Sequence, residues 1–141
     1  MRRKYTETKQ ERAAAELGPE VLFENSGFKV LYLTISGSQH RFDRVVILYD
    51  GIPVWTMSSE GWCREDAVPF LENALMKAYN HRDFVGGRGP CIVPDPENGM
   101  LYENTVDGSS SWRRFRGREE IFDRNDQCIG WREYHGILLA E

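Results

Sequence analysis

The sequence predicts an α+β fold: an antiparallel sheet of about six strands from two degenerate hairpin-containing repeats, packed against one main helix, with a short N-terminal helix besides. Three observations carry this. Two stretches alternate apolar and polar residues at the period of two that a half-buried strand requires. One stretch between them repeats at helical spacing. The two strand-rich stretches also share one order of aromatic, aliphatic and glycine positions. At 141 residues the chain needs a single core. It divides into an N-terminal helical arm over 1–27 and one domain over 28–141, holding the repeat at 28–62 and 101–136.

The first element is a helix over residues 8–17. Thr8 and Glu11 fit a capping box, Ala13, Ala14 and Ala15 favour helix, and Gly18-Pro19 stops it. Its apolar face is thin, which suits an arm or a contact for another chain. From Phe28 the pattern turns to strands, with Val30, Tyr32, Thr34, Val45, Ile47 and Tyr49 on one period. Asp50-Gly51 closes a type I′ hairpin, since both central residues of that turn need positive φ. The return strand runs roughly from Pro53 to Ser59, and its proline places its start at an edge.

Residues 66–79 form the clearest helix, with Ala67, Phe70, Leu71, Ala74, Leu75 and Ala78 on one face. Glu65 and Asp66 at its start and Lys77 near its end suit the macrodipole, and Pro69 sits in the first turn, where its missing N–H does no harm. Turn-rich segments follow at 86–90 and 94–99, and strands resume at Leu101. There the earlier order returns. Tyr32, Thr34, Gly37, Phe42, Ile47, Val54-Trp55 and Gly61 line up with Tyr102, Thr105, Gly108, Phe115, Ile121, Ile129 with Trp131, and Gly136. Such self-similarity implies two like units that bury a common core, with Trp55 and Trp131 as equivalents facing one interior.

Composition narrows the function. With 40% apolar and 28% charged residues the chain has the makings of a globular domain, and a net charge of -4 argues against general nucleic-acid binding. No run approaches the ~20 apolar residues of a membrane span, and the basic N-terminus lacks the apolar stretch of a secretory signal, so the expected home is the cytoplasm. Cys63, Cys91 and Cys128 lack CxxC spacing and read as reduced core thiols. No metal and no cofactor is called for.

The segments RFDRVVILYDGIPVWTMSSEGW, FLENAL, RGP, LYENTVDGSSSWRRFRGREEIF and YHGILL carry a resemblance. Between Phe28 and Leu139 the chain resembles the small bacterial domain of unknown function family 5680, sometimes fused to helix-turn-helix regulators. Its most specific pieces are Pro53-Val54-Trp55 with Met57, Arg88-Gly89-Pro90, Phe115 with Gly117 and Glu119 or Glu120, and Tyr134-His135-Gly136. The chain departs from the family at Asp43-Arg44-Val45 and at Gly136-Ile137. The resemblance implies a fold and a set of residues to inspect; it supplies no reaction.

Three groups of residues carry candidate chemistry. His135, with Glu119, Glu120 or Glu133 nearby, suits a general base, a ligand contact or a cross-strand register bond. The loop Gly86-Gly87-Arg88-Gly89-Pro90 offers backbone N–H groups and a guanidinium fork to a phosphate or carboxylate; the alternative is an arginine that braces the fold. Trp112, Arg113, Arg114, Phe115, Arg116 and Arg118 form an aromatic and basic run that reads either as a nucleotide site or as a solvated face paired with acidic neighbours. Nucleophiles are poorly supported, since Ser109–Ser111 make a turn and no GxSxG elbow exists. The expected ligand-binding set is Trp55, Arg88, Glu120, Tyr134 and His135, lining a polar pocket or groove near the junction of the two copies, with Trp112 and Arg114 of the aromatic and basic run.

The sequence thus reads as a non-enzymatic binding or regulatory domain for a nucleotide-like or phosphorylated small molecule, which it would bind or sequester, as some phage counter-defence proteins do. The alternatives are an interaction or inhibitor module acting on a partner protein, and a small hydrolase using Glu120 and His135. Expected partners are an anionic small molecule or a protein, a further copy of the chain included, and no membrane.

Overall fold

The structure, a computed structural model, describes residues 19–37, 39–81 and 89–140. The helix expected over 8–17, and Gly86, Gly87 and Arg88, lie outside the described residues. The chain runs β1 (Glu20–Asn25), β2 (Phe28–Ser36), β3 (His40–Tyr49) and β4 (Ile52–Cys63), then a single 3₁₀ turn (Glu65–Ala67) leading into α1 (Val68–His81), then β5 (Ile92–Asp95), β6 (Met100–Val106), β7 (Arg114–Phe122) and β8 (Cys128–Leu138). All eight strands join one antiparallel sheet in the order β1-β2-β3-β4-β8-β7-β6-β5.

This corrects the expected fold class. Among the described residues, eight strands, one 14-residue helix and 61% strand make the protein mainly β rather than a six-stranded α+β domain. The two unforeseen strands are the two edges, and each hides its period. β1 falls in the stretch assigned to the arm; a bulge at Leu22 sets Val21, Leu22 and Phe23 side by side without alternation. β5 is four residues long and contains Pro94, so it reads as part of a turn.

Other features follow the sequence closely. Asp50 and Gly51 both have positive φ, as a type I′ turn requires, and Ser26-Gly27 repeats the device between β1 and β2. Asp50 N–H donates to the Gly27 carbonyl at 2.9 Å, locking the two turns together. β4 is longer than expected and central rather than at an edge. Its proline is tolerated because pairing with β8 begins only at Trp55, so Pro53 owes no donor on that side. In α1 and the turn before it, Ala67, Ala74 and Ala78 are fully buried.

β1–β4 and β5–β8 are two meanders of four strands, joined through β4 and β8. Tyr32 lies opposite Val45 and Val45 opposite Met57, as Tyr102 lies opposite Ile121 and Ile121 opposite Gly130. In each half the tyrosine hydroxyl donates to a carboxylate two residues before its partner, Asp43 in one and Glu119 in the other. Structural equivalence therefore runs from Asp43 to Glu119, a few residues away from the alignment of Phe42 with Phe115. Trp55 and Trp131 are both half-buried, but they do not face a shared interior. Trp55 pairs with Leu138 and Trp131 with Trp62, seven residues along β4, so they occupy opposite faces of the sheet.

The core lies on one face, where α1 covers the β5–β8 half. Ala67 and Ala74 come down on Val93, Tyr102, Ile121 and Ile129, with Cys63, Phe70, Leu71 and Met100 packed around them. The small alanines let the helix approach the sheet closely. In β1–β3 only Asp43 is buried among the described residues. That asymmetry places the polar cluster described next at the rim of the core.

Candidate functional site at the junction of the two halves

Two glycines shape the helix-side face beside the junction. Phe115 lies opposite Gly136, and Tyr134 opposite Gly117. A Cβ at Gly136 would collide with the Phe115 ring, and one at Gly117 with the ring of Tyr134. Both rings thus lie flat across a strand that offers no side chain. Trp55 stacks on Phe115 with centroids 6.0 Å apart, and Phe115 meets Tyr134 at 6.2 Å. Tyr134 is buried, and its hydroxyl donates to Asn104 Oδ1 at 2.7 Å while Asn104 Nδ2 donates to the Gly89 carbonyl at 3.1 Å. It holds the fold together and presents no free edge to a ligand.

Next to this aromatic row sits a charged cluster centred on Asp43. The sheet register brings it together: Arg41 and Arg132 both lie opposite Gly61, one on each side, and Asp43 lies opposite Ser59 one step along. Without a side chain at Gly61 the two guanidinium groups can converge. Asp43 accepts from Tyr32 Oη at 2.6 Å, from Arg41 Nε at 2.9 Å and from Arg132 Nη1, which also reaches Ser59 Oγ at 3.3 Å. Arg41 Nη2 in turn donates to Tyr32 Oη at 2.6 Å. Burial alone would raise the Asp43 pKa; the hydrogen bonds from Tyr32 and Arg41 and the charge of Arg132 overcome it and hold the carboxyl at about 2.

An acid held so low and engaged by three donors is a poor general base near neutral pH. The cluster is suited to electrostatics instead: two arginines stand against one carboxylate, and Arg41 is about half exposed. Its Nη1 takes no hydrogen bond among the described residues. From Asp43 the face runs past Val45 and Met57 to Trp55, which lies opposite Ile47. Four residues of strand, about 13 Å, separate the charged end from the aromatic end.

The expected site residues do not assemble. Trp55 and Tyr134 are on the helix-side face, whereas Arg114, Glu120 and His135 point from the opposite one. Trp112 precedes β7, two-thirds exposed, with the Arg113 guanidinium 5.0 Å from its ring centre. Arg88 lies outside the described residues. Glu120 pairs with Trp131 and His135 with Arg116, four residues apart along the strands, about 13 Å. At that separation the two side chains do not pair with each other directly. Arg118 is diverted to Glu133 at 2.8 Å, to Glu120 at 3.5 Å and to the face of Trp131.

The expectation of core thiols is also corrected, since Cys91 and Cys128 are exposed and only Cys63 is half-buried, where burial pushes its thiol up. Among the described residues no cluster of His, Cys, Asp and Glu is placed to hold a metal, and no helix is long and apolar enough to cross a membrane. Sequence reasoning missed Tyr32, Arg41, Ser59 and Arg132 as a group, because they come from four strands and carry no local signature. Asp43 did stand out in the sequence, as a departure from the pattern of the family it resembles there.

No family model, no curated protein and no solved structure matches this chain, so its reading rests on its own residues.

Proposed function

We propose that the protein is a non-enzymatic binding module for a nucleotide-like or phosphorylated small molecule, seated on the helix-side face across β3, β4 and β8. The observation that supports this reading is the convergence of Arg41 and Arg132 at one end of an apolar strip that finishes in Trp55. A half-exposed guanidinium with a spare nitrogen suits an oxyanion. The half-buried indole suits a flat ring, and the distance between them suits a molecule carrying its charge at one end. Binding without turnover is sequestration or sensing, and an Asp43 carboxylate already engaged by three donors suits that better than proton abstraction.

The experiment is a calorimetric screen of the purified chain against nucleosides, their phosphates and simple sugar phosphates. Binding confined to phosphorylated compounds, and weakened by Trp55→Ala, supports the reading. Failure of every compound, or binding indifferent to the phosphate, removes it.

A further inference from the structure

The sheet face opposite α1 carries its charge in two zones, and we propose that it is a self-complementary interface on which a second copy of this chain packs face to face. The zones follow from the register. Arg44, His135 and Arg116 share one cross-strand row, with Arg114 in the next row outward. One step in the other direction come Glu60 and Glu133, and beyond them Glu120 and Glu103. Arg118, already engaged by Glu133 and Glu120, is the cation within the acidic zone. Among the described residues Arg44, Arg114 and Arg116 make no salt bridge; Asp107, at the rim, is the carboxylate that feels Arg116. Towards β2 and β3 the same face turns more apolar, with Leu31, Leu33, Phe42 and Val46 half-buried and Ile35 exposed, outside the helix-covered core.

Sheets that pack face to face bury such side chains at a spacing of about 10 Å. A two-fold axis between two copies, lying at right angles to the strands over the row of Asp43, Ser59 and Tyr134, exchanges the two charge zones and leaves each strand over its own counterpart. Arg114 then faces Glu120 of the second copy, and His135 faces its Glu133. Leu33 faces Ile35, and Ile137 faces Trp131. The apolar column of β2 meets itself, while on β3 Arg44 lies over Phe42 of the second copy. Arg116 lies over the second copy's Arg118, whose charge its own glutamates already balance. One operation pairs Arg114 with Glu120, His135 with Glu133 and the apolar column of β2 with itself, and this favours a second copy over an unrelated partner. Three of the residues singled out from sequence, Arg114, Glu120 and His135, thereby find a role in assembly, and the α1 side stays open to solvent.

Analytical ultracentrifugation of the full chain tests this without reference to any ligand. The wild type is expected to sediment as a dimer. Arg114→Glu and Glu120→Arg should each weaken the dimer by about tenfold or more, with the circular dichroism spectrum unchanged and melting lowered only as far as the lost association requires. The double variant R114E/E120R should restore it. A wild type that stays monomeric at its highest soluble concentration overturns the proposal. So does a dimer indifferent to both single reversals, or a double variant no tighter than either single one.

Discussion

Arg132 on β8 reaches across β4 to the carboxylate of Asp43 on β3, closing an ion pair between residues 89 apart in the chain. Asp43 is 6% exposed, and the Arg132 side chain is also largely buried. Removing both charges from water is costly, and Tyr32, Arg41 and Ser59 offset that cost by completing the hydrogen bonds. The pair fastens the first half of the sheet to the second at the point where the helix-covered core ends.

Breaking this pair should therefore hurt more than breaking one in solvent. Arg132→Ala is expected to destabilise the fold by about 3 kcal/mol in urea denaturation. Arg118→Ala, which removes a pair with the exposed Glu133, should cost no more than about 1 kcal/mol. Equal losses would show that Asp43 does not depend on its far partner.

The same carboxylate makes stability depend on acid. Its pKa falls from 3.8 to about 2 on folding. A group whose folded pKa is depressed adds stability that is fully present above its unfolded pKa and is lost as pH drops through the folded value. The melting temperature should then decline between about pH 4 and pH 2, and Asp43→Asn should flatten that decline while lowering stability at neutral pH. An unchanged acid profile in Asp43→Asn would place the titrating group elsewhere.

Gly136→Ala sets a Cβ into the Phe115 ring, and that ring lies between Trp55 and Tyr134 with little room to move. The expected loss is about 1–3 kcal/mol by overpacking. At Gly108 a Cβ meets nothing within 4 Å, so Gly108→Ala serves as the neutral control. Thermal melts of the two variants separate a packing role from a general glycine effect.

How much of this was legible in the sequence depends on the range of the interaction. The Asp50-Gly51 turn and the alanine face of α1 are encoded within a few residues, and the sequence shows them. β1 and β5 were hidden by a bulge at Leu22 and a proline at 94. The repeat was visible, but its register was not. Each returning strand carries one extra residue, at Val54 and at Ile129, but on β3 and β7 matching the phenylalanines misses the carboxylates that the two tyrosines select. Period-two alternation already sets Tyr134 and His135 on opposite faces, which is why one pocket could not contain both. The Asp43 cluster needs the order β3-β4-β8 before it exists at all, and no local pattern announces that order.

The most direct measurement is calorimetric titration of the wild type and Arg41→Ala with a purine nucleoside diphosphate and with the bare nucleoside. Arg41 is 47% exposed, and Asp43 keeps Tyr32 and Arg132 without it, so the variant should melt within a few degrees of the wild type. The wild type should bind the diphosphate roughly tenfold or more tightly than the nucleoside, and Arg41→Ala should abolish that preference. Equal affinity for both compounds in the wild type, or a preference that survives in Arg41→Ala, would contradict this expectation.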